Sequence, residues 1–519
     1  MNTRLRSAGT IDEARSPAPP EAGPDAAPDV APDAADRPAR PARPPARPMS
    51  PRLIALFGLA LGISILVAYT LDRKIFTDVF WQLAAGQWML AHHSVIGLDP
   101  FSYTETHRRW INDEWGSEVI LASLYKVFGA AAFNIIAIVT GSLSLVCTML
   151  YARTLGARGG RLAAIAILLA LGIAGFVTQD RGLSFSLIWL PLELLVLAKA
   201  RTNPRLLWWL PPLFLLWANT HGSILVGLMV LGVELAWSVA PERLAARVGG
   251  TGRSTHPRQL FVVAVVGTLA SFVTPYGPHL VFYDISVGTN SQIGQYISEW
   301  NSPNFHSVVE LLTFGLIVAV FVFAVRSRRM PVLESTLVVL FFLGALHSAR
   351  ISIYLYVAAA GLAASLPLRR VWAPRTRRIV GALGIGLMLA LAAYPSVPAG
   401  TVTADTPVQA FTFLESHPGR IFTQYTWGDY AIVRHRATFA DGRTDLFIGP
   451  VLTEFFDVSD VKVNPDPIFA RYHVDYVVWP RATPLAEYLS HDARWVVVDH
   501  TGPALVFART SVWGNQPRH

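Results

Sequence analysis

The chain has 519 residues, is 52% hydrophobic and only 15% charged, and carries a formal net charge of +8. With a mean hydropathy of +0.40 and several uncharged apolar runs near the ~18 to 20 residues that cross hydrocarbon, it reads as a polytopic α-helical membrane protein. The basic excess lies mostly in short loops between those runs, which argues against nucleic acid as a partner, and the single cysteine, Cys147, excludes a disulfide framework or a Cys-based metal site.

Residues 1–50 hold 11 of the 36 prolines and balance seven Arg against seven acidic residues. No helical or strand period runs through them, so they read as a disordered Pro/Ala-rich tail. The next apolar run is membrane-length and follows too long and too acidic a segment to be a cleaved signal, so it reads as the first span. Apolar runs place about 11 transmembrane helices, at 53–71, 130–150, 161–178, 184–198, 206–220, 223–240, 259–274, 308–325, 331–347, 351–367 and 379–397. One set of connections is uniformly basic, from "YARTLGARGGR" to "PLRRVWAPRTRR", and the tail ends in the same way. The positive-inside tendency puts that set and the N-terminus in the cytoplasm. The protein is then a multi-pass protein of the cytoplasmic membrane, with loop 72–129 and residues 401–519 exterior or periplasmic.

The opposite connections are less basic and carry Asp, Glu, His, Asn and isolated Arg: 72–129, "TQDRG", "NTHGS", 274–306 and "HSAR". A polar loop that touches water needs no function. Five such connections, each with an ionisable group near a helix end, point to one outer cavity for a polar substrate. In the first outer loop, 78–91 alternates polar with apolar positions at helical spacing, and Trp81, Trp88 and Leu90 suit a helix lying along the interface. "GLDPFSYT" is a turn, and "RRWINDEWGSEVI" leads into a second amphipathic helix. Asp78 starts the first of these helices, where a carboxylate either favours the N-terminus or serves as a base in a partly desolvated cleft. Glu118, a turn past Glu114, reads as helix solubility or capping, and Arg108 and Arg109 read as lipid-facing anchors.

An acidic residue directly after the first span, then a long outer loop with two interfacial helices and a further acidic pair, resembles the GT-C superfamily. These are membrane glycosyltransferases that take sugars from polyprenyl-phosphate carriers. Within them the chain is similar to bacterial integral membrane proteins related to the protein-mannosyl and lipid A aminoarabinose transferases. The resemblance covers about 72–400 as architecture, with an exterior C-terminal domain of the kind many members carry. It implies that Asp78 is the catalytic loop aspartate and that Asp113 and Glu114 form a second acidic site. "TPYG" and "SEWNSP" depart from the pattern of the best-known members.

That chemistry needs a carboxylate base near the membrane plane and positive or donor groups for a leaving phosphate. Arg181 in "QDRG" and Arg350 in "HSAR" sit at outer helix ends, at the height of a carrier phosphate, and arginine's fork suits its oxygens. Their plain alternative is headgroup snorkelling. His221 in "WANTHGS" is a further phosphate donor or a helix–helix hydrogen-bonding group. Glu299 and Trp300 in "GQYISEWNSPNFH" form a sugar- or acceptor-binding platform or a helix cap. There is no HExxH, CxxC or Walker motif; if a divalent ion binds, Asp78 with Asp113 or Glu114 is the natural oxygen-rich site.

After the last span, "RIFTQ" reads as strand, "TWGDYAIVRH" as helix and "ATFADGRTDLF" as strand and turn. "YHVDYVVWP" is again strand, "ATPLAEYLSHD" helix, and "ARWVVVDHTGPALVFAR" two strands about a Thr-Gly turn. Residues 401–519 are thus a small exterior α/β domain, for acceptor binding or loop support, in which "DGRTD" reads as a turn whose Asp and Arg pair. The organisation is a tail (1–50), a GT-C-like membrane domain (51–400) and this domain. The leading function is inverting transfer of a sugar from a polyprenyl-phosphate carrier, among membrane lipids, to a glycan, lipid or protein acceptor. The alternative is a transporter or flippase, which should show two-fold pseudo-repetition and polar groups near mid-membrane; the long runs are instead nearly free of charge, with Glu193 and Glu234 within them but closer to the inner half. A non-enzymatic scaffold leaves the outer charges without a purpose.

Overall fold

The computed structural model describes residues 49–71, 78–177, 182–247, 250–327, 330–367, 402 and 405–514. The tail, Arg181 and the span expected at 379–397 lie outside them. Ten of the expected spans fall on helices among the described residues. Among the described residues five helices are long and apolar enough to cross a membrane: α1 (Pro51–Leu71) and, after α2 (Asp78–His92) and α3 (Trp115–Phe128), α4 (Ala131–Thr154), α5 (Gly160–Val177), α6 (Leu183–Ala200) and the helix Val308–Arg326. Shorter apolar helices lie at Ile224–Val239, Pro257–Ser271, Val332–His347 and Ala349–Ser365. The run at 206–220 divides into a 3-10 turn, Pro204–Trp209, and a helix of only 9 residues, Leu210–Ala218. Pro211 and Pro212 cause the break: prolines lack the N–H that an interior turn needs and fit only a first turn.

One large apolar core joins the membrane helices, with Leu145, Ile173, Leu190, Trp217 and Leu355 at its centre. At the end of the bundle away from the C-terminal domain, charge ties four helices together. Arg201 ends α6 and reaches Glu334 Oε1 at 3.5 Å and Glu234 Oε2 at 3.8 Å. Tyr151 donates to the same Glu334 oxygen at 3.0 Å. Glu234 thus belongs to a buried ion cluster that fixes helix ends.

The C-terminal region, residues 405–514, belongs to the same compact unit as the membrane helices and holds a four-stranded sheet in the order β3-β4-β6-β5, numbered after a two-residue parallel pair, β1 (Gly250–Thr251) and β2 (Met330–Pro331). β3 (Ile421–Thr423) runs parallel to β4 (Tyr476–Pro480), and β6 (Ala504–Arg509) pairs antiparallel with β4 and with β5 (Trp495–Asp499). The segment expected as strand and turn after Ala437 is instead a bridge at Thr438 and a short helix, Thr444–Phe447. Thr438 pairs with Ile421 on one side and with Ser102 of the first loop on the other. The loop therefore covers a sheet edge that would otherwise offer unpaired backbone groups.

Loop and domain also share their cores. Ala85, Met89, Ile96 and Trp110 pack with Phe422, Phe439, Phe455 and Phe507. Val79, Phe80 and Leu83 pack with Leu121, Phe411, Trp427 and Tyr430. The helix expected to lie along the interface, α2, is thus walled in by α3 and by the C-terminal domain. Gly86 allows the closest approach to α3, because a Cβ there would stand 2.1 Å from the Glu118 carbonyl oxygen. Glu118 is buried as well, with Asn112 Nδ2 donating to its carboxylate at 2.5 Å. It is part of the loop's polar core and not a solubilising surface group. Arg108 is no lipid anchor either: its Nη1 donates to Glu105 at 3.1 Å and to the Ile448 carbonyl at 3.0 Å, which clasps the C-terminal domain.

Candidate active site

The turn between the helices Leu210–Ala218 and Ile224–Val239 carries Asn219 to Ser223, and Gly222 is its hub. Its N–H donates to Asp113 Oδ2 at 3.1 Å. A Cβ on Gly222 would lie 2.5 Å from Asp113 Oδ2 and 2.6 Å from Asp284 Oδ1. Only a residue without a side chain lets two carboxyls press against one stretch of backbone. Asp284 comes from the helix His279–Gly288, and its buried Oδ2 has no hydrogen-bond partner among the described residues. Burial, and then the neighbouring Glu114 and Asp445, push Asp113 up to about 8. Burial, and then Asp113 and Glu114, push Asp284 up to about 10. Like charges in a poorly solvated space hold their protons, so this pair is mostly protonated near neutral pH until a cation joins it.

Glu114 follows directly. Gln82 of α2 donates to its Oε2, and His221 Nε2 stands 3.2 Å from its Oε1. The Ser223 N–H donates to His221 Nδ1 at 2.9 Å, so Nδ1 is the acceptor and Nε2 carries the proton toward Glu114. Both ring nitrogens of His221 are therefore engaged in orienting Glu114. Gln82 lies one helical turn beyond Asp78, about 6 Å along the axis, on the same face of α2.

The C-terminal domain completes the site with residues that sequence reasoning left out. Tyr283 donates its hydroxyl to Asp445 Oδ2, and burial raises that carboxyl above its usual range. Asp429 accepts from the Gly442 N–H at 2.6 Å. It is held well above the ordinary carboxylate range by burial and then by the charges of Asp78 and Asp441. Asp78, half-buried at the start of α2, thus lies within electrostatic reach of Asp429. The signal for Asp284 was a lone acid in the apolar stretch "HLVFYDISVG", and for Asp445 the second acid of "DGRTD".

Arg350, Glu299 and Trp300 come together, although they were read as parts of two sites. Arg350 Nη1 is 3.5 Å from Glu299 Oε1, and the guanidinium lies over the Trp300 ring at 5.0 Å. The backbone fixes this contact: Ala349 N donates to the Asn301 carbonyl at 2.9 Å and Ser348 Oγ to that of Glu299 at 3.2 Å. One turn past Arg350, the Tyr354 hydroxyl reaches Ser186 and Ser223, and Ser223 adjoins His221 through the turn. Arg350 and the carboxyl site therefore flank one polar seam.

Among the described residues no three His, Cys, Asp or Glu side chains gather as a metal-holding group, so Asp78, Asp113 and Glu114 do not form one here. Asp113 and Asp284 are the better oxygen pair. Two carboxyls, one with an orphaned oxygen, suit a hard divalent ion that fills its shell with water and phosphate oxygens.

No protein-family model matches the chain, and no curated protein matches it. Solved structures do. The archaeal oligosaccharyltransferase AglB from Archaeoglobus fulgidus, in complex with an inhibitory peptide and a dolichol-phosphate, aligns with a TM-score of 0.58 at 11% identity. The alignment covers 90% of this chain and 75% of that one. ArnT from Cupriavidus metallidurans, bound to undecaprenyl phosphate, aligns with a TM-score of 0.53 at 15% identity over 89% of this chain and 98% of that one. The chain shares its fold with these AglB and ArnT structures, the fold that the resemblance in its first long loop implied.

Proposed function

We propose that this chain transfers a sugar from a polyprenyl-phosphate carrier to a hydroxyl acceptor on the outer face of the cytoplasmic membrane, with inversion at the anomeric carbon. The observation that carries the reading is the carboxyl set built around Gly222 and α2, beside a guanidinium on an aromatic ring. Both lie at the bundle end that meets the C-terminal domain. The AglB and ArnT structures that share the fold were determined with polyprenyl phosphates bound, which supports a lipid-linked donor.

In this mechanism the acceptor oxygen attacks the anomeric carbon and its proton passes to Asp78. The bond from that carbon to the carrier phosphate breaks, and its electron pair leaves with the phosphate. Asp78 suits the base because it starts α2 one turn before Gln82, which holds Glu114, and lies near Asp429, whose carboxyl is raised by burial and then by the Asp78 charge. Asp113 and Glu114 position the reacting groups, and His221 and Gln82 hold Glu114 in place. Arg350, with Arg181 as an expected companion, takes the carrier phosphate, while Glu299 and Trp300 hold Arg350 and offer the sugar a ring to stack on. A divalent ion held by Asp113 and Asp284 would neutralise charge on the leaving phosphate.

The test uses purified protein in nanodiscs with a panel of undecaprenyl-phosphate sugars and candidate acceptors. Mass spectrometry should detect free undecaprenyl phosphate and a glycosylated product together. Movement of intact carrier between leaflets without product would establish the flippase alternative instead.

A further inference from the structure

A cleft of about 180 Å³ opens beside the carboxyl set, lined by Arg108, Arg109, Trp110, Ile111, Tyr283, Asp445 and Leu446. We propose that it binds an anionic group of the acceptor, a phosphate or carboxylate, and so selects acidic acceptors for the transfer proposed above, on which this inference rests. The two arginines supply the charge. Arg108 is clamped by Glu105 and the Ile448 carbonyl, so its guanidinium is held in place, while Arg109 is exposed beside the cleft. Guanidinium forks match phosphate and carboxylate oxygens.

Against these two guanidinium groups the lining holds one acid, Asp445, and its Oδ2 already accepts from the Tyr283 hydroxyl. Two cations against one engaged carboxyl favour an anion in the cleft. A cleft of about 180 Å³ has room for an anionic group and the waters that accompany it. Asp445 stands at the junction of cleft and carboxyl set, so an anion bound by the arginines places the rest of its molecule toward the reacting carboxyls. The cleft is built from the first loop, Tyr283 and the C-terminal residues Asp445 and Leu446, whereas the Arg350 cluster joins residues 299–301 to 348–350, and on that separation of segments the cleft is assigned to the acceptor and the cluster to the donor phosphate.

The probes are glucose 6-phosphate, glucuronate and glucose, titrated calorimetrically into full-length protein in zwitterionic nanodiscs with no donor present. Glucose 6-phosphate and glucuronate should bind and glucose should not. R109A should weaken both anions by about tenfold or more, and R109K should recover much of the loss. R108K, which keeps the charge but not the fork, should weaken them less than R109A. Equal affinity of wild type and R109A for the anions overturns the proposal. So does a result in which soluble anions fail to bind but R109A lowers binding to phosphatidylglycerol-containing vesicles, which would make Arg109 a headgroup anchor. Undecaprenyl phosphate binding by wild type and R350Q, measured in parallel, separates the two readings: failure there with intact anion binding removes the transfer reading and leaves the anion subsite standing.

Discussion

Arg443 of the C-terminal domain and Asp99 of the first loop, 344 residues apart, meet at 2.5 Å with both side chains fully buried. The same guanidinium grips Asp441 through Nε at 2.8 Å and Nη2 at 2.7 Å. Its planar face lies 4.8 Å from the centre of the Trp110 ring and 5.1 Å from that of Phe101. Asp99 is satisfied in turn by the N–H and hydroxyl of Ser102. This clasp sets the C-terminal domain on the loop in the register that delivers Asp429 and Asp445. Removing one partner strands a buried charge, which costs about 3–5 kcal/mol. R443M should therefore destabilise the protein strongly, as a loss of several degrees in thermal unfolding in detergent. The double variant R443M/D99N should recover part of that loss. Similar melting of all three proteins would show that the clasp does not hold the domain.

Gly222 yields a second expectation. An alanine there puts a methyl within 2.5–2.6 Å of two carboxylate oxygens, so Asp113 and Asp284 must separate or the turn must shift. Overpacking of this kind costs about 1–3 kcal/mol, and here it also moves the groups that act. G222A should lower transfer by about tenfold or more. Gly232, on the following helix, is the control, because a Cβ there meets nothing within 4 Å. G232A should leave transfer unchanged; equal effects of the two substitutions would show that the close approach is not required.

How much of this was legible depends on the range of each contact. The apolar runs gave the membrane helices because hydrophobic length is a local property. Asp113 and Glu114 stood out because acids between membrane-length runs are costly without a role. The β-branched and aromatic residues of "RIFTQ" and "YHVDYVVWP" marked β3 and β4 for the same local reason. Arg443 was seen only with Asp441, its neighbour in the turn, because nothing local marks a partner as distant as Asp99. Arg108 and Arg109 looked like headgroup anchors because arginines beside an interfacial helix usually are. Their turn toward the C-terminal domain is set by the shared core, which no single segment encodes. Glu118 was misjudged because its helix looked amphipathic, while the domain covers the face it occupies.

The pH dependence of stability follows from Asp284. Its proton is held up to about 10 in the folded chain, against 3.8 for an ordinary carboxyl, because burial and then Asp113 and Glu114 oppose its charge. Below about pH 4 both folded and unfolded chains carry the proton, and the contribution of this group is fully present. As pH rises, the unfolded chain loses the proton first, so stability falls through this window and levels off above about 10. D284N removes that slope. Its melting temperature should exceed that of the wild type by more at pH 9 than at pH 5. Parallel pH profiles for the two proteins would mean that Asp284 is solvated or already neutralised.

Asp78 is the sharpest test of the chemistry. It starts α2 one turn before Gln82, which holds Glu114, and it faces Asp429 from the C-terminal domain. Replacing it with Asn keeps the shape and the helix start but removes the group that accepts the proton. Transfer by D78N should fall by about 10²-fold or more, the usual worth of a positioned base, with unfolding temperature and carrier binding little changed. D429N is the companion. Burial raises Asp429 above the usual carboxylate range, and an amide there can still accept from the Gly442 N–H, so D429N should cost transfer far less than D78N. The ratio of the two losses matters more than either alone. A large loss in D429N with near-normal turnover in D78N would move the base to the C-terminal domain. Comparable small losses in both, with purified protein and a defined donor, would take the proton transfer away from this pair altogether.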